Sequence, residues 1–144
     1  MLDILILPLI AALIAQLSKF LIKSNKQKFS FKNIFTYSGM PSGHSAMVVS
    51  LATIVGLDEG IDSPLFAVTF IFAIIIIRDA LGLRRYLGEH GKILNVLVKD
   101  LKDDELLDNA YPHLLEKIGH TPSQVIVGSI IGFLVSIIGF IVLF

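Results

Sequence analysis

The sequence predicts an all-α fold: a polytopic bundle of about four membrane helices, with amphipathic helices on its cytoplasmic side. Three observations carry this expectation. The chain is 54% hydrophobic and only 17% charged over 144 residues, with a mean hydropathy of +0.79. That is more apolar material than the one modest core of a soluble chain this long can bury. The apolar residues fall in four runs, near residues 2–22, 44–57, 63–82 and 122–144. If each run crosses once, all 12 lysines and arginines lie on one side.

The runs differ in strength. Residues 2–22 carry only Asp3 and Lys19 as charges, and 122–144 carry none over 23 residues. At ~1.5 Å per residue, each can cross a hydrocarbon layer of about 30 Å. The first run lacks a basic leader and a small-residue cleavage site and is too long for a signal core, so it reads as a retained helix. Residues 63–82, through "FAIIIIRD", form a further span. The run at 44–57 is short, and both a crossing and a re-entrant or half-buried helix fit it. No internal repeat or low-complexity tract divides the chain, so residues 1–144 read as a single integral-membrane domain. There is no cysteine, which excludes disulfides and thiolate chemistry.

The charges orient the bundle. Segments 23–43 and 83–121 hold the lysines and arginines, with Lys19 and Arg78 at their edge. The opposite side holds Asp3, Asp58, Glu59 and Asp62 and no basic side chain. By the positive-inside rule the basic side is cytoplasmic, and both termini lie outside a cell membrane. Net charge is zero, and no nucleic-acid partner is expected. In residues 84–118, Tyr86, Leu87, Ile93, Leu94, Leu97, Val98, Leu101, Leu106 and Leu107 recur at helical spacings among charges. Gly88 and Gly91 either interrupt this helix or let another backbone approach. "KDDELLDNAYPHLLEKIG" reads as a second amphipathic piece, broken at Pro112 and capped at Gly119.

Polar residues crowd the cytoplasmic ends of the runs. "SGMPSGHSA" places Pro41, Ser42, Gly43, His44 and Ser45 where a helix enters the membrane. Its unpaired N–H groups and dipole suit an anion, while an ordinary serine cap after a Pro/Gly turn is the plainer reading. His44 favours the anion site, because an imidazole at the lip of an apolar helix is costly without a partner or a task. "GHTPSQV" repeats the pattern, with His120 just before the last run. Lys19 ends the first run on the same side, and Arg78 and Asp79 end the third. Two imidazoles with a lysine and an arginine around a helix start make a phosphate constellation. One histidine can attack phosphorus, the other can protonate the leaving oxygen, and the cations can hold the remaining oxygens.

"GMPSGHSA", "RDALGLRRYLGEHGKILN" and "GHTPSQV", in this order, resemble the divergent branch of the type 2 phosphatidic acid phosphatase superfamily. That branch is also described as acid phosphatase/vanadium-dependent haloperoxidase-related. The resemblance runs from about Gln16 to Gly128. It implies that His44 protonates the leaving group, that His120 forms a phosphohistidine and that Lys19 binds phosphate; Ser42 and Gly43 at the helix start and Arg78 are further phosphate-binding candidates from their placement. It implies metal-independent hydrolysis of a phosphate ester, without a cofactor. The substrate would be a lipid phosphate such as phosphatidylglycerophosphate, phosphatidate or a polyprenyl phosphate.

The chain departs from the superfamily pattern at three places. Leu114 stands where an arginine precedes the nucleophilic histidine, and Gln124 where a carboxylate follows it to orient the ring. No arginine follows Lys19 in "KFLIKSNKQKFS". Arg78, Arg84 or Arg85 can stand in for the lost cation, and Asp79 or Glu116 for the lost acid. The superfamily core has six helices, so either the amphipathic pieces or a second copy, as a homodimer, would complete the bundle. Two readings follow: a lipid-phosphate phosphatase at the cytoplasmic leaflet, or a non-catalytic membrane protein that binds or transports a phosphate-bearing lipid or anion. The four histidines lack close ligand spacing for a metal, and His90 and His113 read as surface residues.

Overall fold

The computed structural model describes residues 2–22, 39–100, 114–116 and 118–143. All elements among them are helices: α1 Leu2–Ser18, α2 Gly43–Asp58, α3 Pro64–Leu81, α4 Leu83–Asp100 and α5 Pro122–Leu143. Helices α1, α2, α3 and α5 occupy the four apolar runs. Two stretches, beginning at Pro64 and at Pro122, are long and apolar enough to cross a membrane by length and composition, and α1 and α2 are shorter.

Local chemistry sets the boundaries. Helix α1 stops at Ser18, short of residue 22, because the chain tightens into successive i to i+3 hydrogen bonds: Lys19 to Gln16 at 3.3 Å, Phe20 to Leu17 at 3.2 Å and Leu21 to Ser18 at 3.1 Å. The Ser42 hydroxyl caps α2 by accepting from the Ser45 N–H at 3.3 Å. Ser63 caps α3 in the same way through the Phe66 N–H at 3.1 Å, with Pro64 in the first turn. Gly82 closes α3, its N–H donating to the Arg78 carbonyl at 2.9 Å, and α4 starts at the next residue.

Helix α2 is central, packed against α1, α3 and α5. It runs parallel to α5, and the two meet through small residues four apart. Gly128 faces Ser42, Gly132 faces Ala46, and Ser136 bonds Ser50. A β-carbon at Gly128 or Gly132 would collide with the main chain of α2, which is the close helix approach that small residues permit in apolar surroundings. Ser136 Oγ donates to the Ser50 carbonyl at 2.8 Å, so the 2.7 Å bond between the two hydroxyls takes its proton from Ser50.

Helices α1 and α3 run the opposite way. Leu7 meets Gly139 near one end of α1 and Gln16 meets Gly43 near the other, with Ala11, Ala15 and Ala46 packed between. Phe66 meets Gly56 at one end of α3, and Val48, Ala52 and Ala73 form a cluster with Ile76 and Ile77. The interior therefore combines small and polar residues with a few aliphatics, Leu7, Val48, Ile54, Val55 and Val125. Large apolar side chains such as Leu9, Leu13, Val68, Ile71, Ile75, Phe133 and Ile141 face outward.

The alternating directions put the end of α1, the starts of α2 and α5, and the α3–α4 junction at one end of the bundle. The second amphipathic piece expected before Gly119 is not helical in its described part, residues 114–116 and 118–119. Its remainder, with Pro112 and His113, lies outside the described residues, as does segment 23–38. Gly88 and Gly91 do not interrupt α4. They admit the main chain of Leu115, Glu116 and Ile118 against the helix instead.

Candidate functional site

At this shared end, His44 and His120 sit edge to face, ring centroids 6.4 Å apart with 73° between their planes. His44 is the second residue of α2, beside first-turn N–H groups that the helix cannot satisfy itself. Its neighbour Ser42 is fully buried, and Ser45 Oγ donates to Ser42 Oγ at 3.0 Å. The Ser42 N–H donates to the Gln124 carbonyl at 3.0 Å, which ties the start of α2 to the first turn of α5.

His120 precedes α5 and is held by its main chain, its N–H donating to the Ala80 carbonyl at 3.1 Å. The side chain is 4% exposed, and among the described residues neither ring nitrogen has a hydrogen-bond partner. Burial, reinforced by the charges of Lys19, His44 and Arg84, pushes this imidazole down to about 4. It is therefore neutral at neutral pH, with a lone pair available. Lys19 follows the last turn of α1 and is 3% exposed. Its charge acts on both imidazoles.

The arginines separate. Arg84, in the first turn of α4, acts on both histidines and pairs with Asp79 through Nε at 2.6 Å, both side chains about one-third exposed. Asp79 also acts on His44. Arg78 is exposed on α3, and Arg85 is exposed and pairs with Glu89 at 3.3 Å. Neither is among the charges acting on the imidazoles. Of the three candidate replacements for the lost cation, the structure brings Arg84 to the site. The two belong to different helices: Arg78 is exposed in the last turn of α3, and Arg84 lies in the first turn of α4, beyond the non-helical Gly82.

Gln124 does not reach the ring it was expected to orient. Its Oε1 accepts from the Thr121 N–H at 3.0 Å, while its own N–H reaches back to Thr121 Oγ1 at 3.4 Å. This is a capping box at the start of α5, and the T-x-x-Q spacing announces it in the sequence. On the other side of His120, the close backbone approach at Gly88 and Gly91 was one of the two expectations for these glycines, whereas Asn95 was not singled out. Asn95 holds Leu114, and Gly88, Gly91, Asn95 at i, i+3, i+7 form one face of α4. Two glycines and an amide where an amphipathic helix would put apolar residues were the available signal. Glu116 bonds Asn95 rather than either imidazole. His90 is exposed, as expected of a surface residue. Among the described residues no cluster of three histidine or acidic side chains is placed to hold a metal ion.

The blocks that build this end of the bundle are those of a known family, and a family model described as "Divergent PAP2 family" matches residues 2–135. The chain belongs to the Divergent PAP2 family. Within its curated relatives, it is 37% identical over 121 residues to the uncharacterized membrane protein YuiD of Bacillus subtilis (strain 168), an alignment covering 78% of this chain and 77% of YuiD. No solved structure matches the chain. The Divergent PAP2 match spans Lys19, the 39–46 block, α3, α4 and His120, and so takes in every element that forms the site.

Proposed function

We propose that the protein is a multi-pass membrane phosphatase that hydrolyses lipid phosphate monoesters at the cytoplasmic face through a phosphohistidine. The observation that carries this reading is the pair of rings 6.4 Å apart, one buried and without a hydrogen-bond partner among the described residues, beside Lys19 and Arg84. At that separation one phosphate group can touch both imidazoles. A lone pair of His120 attacks phosphorus, and the bond from phosphorus to the ester oxygen breaks. The departing alkoxide takes its proton from the His44 imidazolium. Water then attacks the phosphohistidine, giving its proton to His44, and inorganic phosphate leaves with His120 restored. Lys19, Arg84 and the first-turn N–H groups of α2 hold the equatorial oxygens.

A lipid ester suits the surroundings. The outward faces of the helices are apolar, the relative YuiD is a membrane protein, and the one-sided lysines and arginines favour a cytoplasmic site. An apolar cleft of about 380 Å³ begins near Val49, one turn beyond Ser45, and runs between α2 and α3 to Phe66. It offers room for an alkyl chain. The deciding experiment is phosphate release from phosphatidate or phosphatidylglycerophosphate in mixed micelles containing EDTA. Turnover by the unaltered protein and none by His120→Ala supports the reading.

One observation favours a second reading. With Gln124 committed to its capping box, no carboxylate among the described residues bonds the His120 ring, and the site is then a phosphate cradle without turnover. Saturable binding of phosphate or vanadate by a protein that releases no product from any lipid phosphate would select it.

A further inference from the structure

Before His120, the chain lies along α4 as a strap, with main chain against helix. Asn95 Nδ2 donates to the Leu114 carbonyl at 2.9 Å, and Asn95 Oδ1 accepts from the Leu114 N–H at 3.0 Å. The side-chain amide thus gives Leu114 the two hydrogen bonds that a paired strand residue would supply. A more exposed contact joins Asn95 Nδ2 to Glu116 Oε1 at 3.0 Å. Beyond it the floor is glycine. A β-carbon at Gly88 would lie 2.6 Å from the Glu116 carbonyl oxygen, and one at Gly91 would lie 3.1 Å from that of Leu115. Gly119, at φ +92°, turns the strap against the start of α4, where a β-carbon would lie 2.7 Å from the Arg85 nitrogen.

A glycine floor lets a backbone come close, but it offers nothing to stop the strap from sliding. Register must come from a contact that distinguishes one residue from the next. An amide supplies donor and acceptor together, and the Leu114 peptide takes both. From Leu114 to Gly119 the described contacts run to α4, while His120 meets Ala80 at the end of α3 through its main chain and His44 of α2 through its ring. We infer that Asn95 is a positioning residue for His120, its amide fixing the register of the strap and thereby the depth of the ring among Lys19, His44 and Arg84. This rests on His120 belonging to the anion site, and the test therefore reads the imidazole and not turnover.

The full-length protein in detergent would be treated with diethyl pyrocarbonate, and modification of His120 followed by mass spectrometry. The side-chain resonances of the same residue would be titrated by NMR. In the unaltered protein His120 should be protected and titrate well below an ordinary histidine. Asn95→Ala should raise the modification rate roughly tenfold or more, the population shift carried by two lost hydrogen bonds, and move the titration midpoint up. Asn95→Asp keeps the acceptor, loses the donor and should fall between. Glu116→Ala, which spares the Leu114 contacts, should change neither readout. If Asn95→Ala or Asn95→Asp lowers thermal stability but leaves both His120 readouts unchanged, Asn95 is merely structural and the inference falls. Should Asn95→Ala not fold, the aspartate variant decides alone. A protein without phosphatase activity that still shows the graded His120 response would overturn the proposed chemistry and leave the positioning role standing.

Discussion

A histidine 4% exposed with both ring nitrogens unpartnered among the described residues is unusual chemistry to keep inside a bundle. At low pH the buried His120 imidazole works against the fold. Its folded value is about 4 against 6.5 in the unfolded chain, so as pH falls the unfolded state takes up the proton first. Stability from this group is therefore level above 6.5 and declines through the window from 6.5 to about 4. The full loss is of order 3 kcal/mol. Thermal unfolding in detergent at pH 7.5 and 4.5 should show it, and His120→Gln should lose most of that slope. Equal slopes in both proteins would place the acid sensitivity elsewhere. The catalytic roles predict a different contrast. His120→Ala should abolish turnover of lipid and aryl phosphates alike, because no covalent intermediate can form. His44→Ala should lose the lipid substrate yet keep measurable activity on p-nitrophenyl phosphate, whose leaving group needs little help from a general acid. Equal losses on both substrates would remove His44 from that role.

Among the elements, the α2–α5 contact decides whether the site exists, because Ser42 and His44 come from one helix and His120 immediately precedes the other. Its three-step ladder leaves no volume to spare. Gly132→Leu should destabilise by about 1–3 kcal/mol or more, since two backbones must separate to admit the side chain. The measurement is the midpoint of thermal aggregation in detergent, and an unchanged midpoint would mean that the helices do not pack through this face. Much of this level was legible. The serine caps before His44 and before Pro64, the Thr121–Gln124 box and the glycine spacing in α5 are short-range patterns, and they formed as such patterns do. The strap was not legible. A stretch with helical apolar spacing ends as non-helical chain at residues 114–116, where Asn95, 19 residues away, takes the Leu114 hydrogen bonds. Local pattern does not record a partner at that distance.

For the whole molecule, small residues are prominent within, serines and alanines beside a few aliphatics such as Val48, Ile54 and Val55, while many leucines, isoleucines and phenylalanines face outward. That is expected where the surroundings are lipid and close packing replaces the hydrophobic effect between helices. The one-sided basic residues then predict sidedness. A cysteine at Asp62 should react with an impermeant thiol reagent added outside intact cells, and one at Lys92 should react only after lysis. The reverse pattern would invert the bundle and move the site to the outer face. The sequence alone determined that the chain is helical, where its apolar segments lie, and that polar residues cluster at their basic ends. Those properties depend on composition and on neighbours a few residues apart. Tertiary structure decided that Arg84 and not Arg78 joins Lys19 at the imidazoles, and that Asn95 holds the chain before His120. Which way a side chain faces around a helix turns by about 100° with each residue, and only packing against the other helices fixes it.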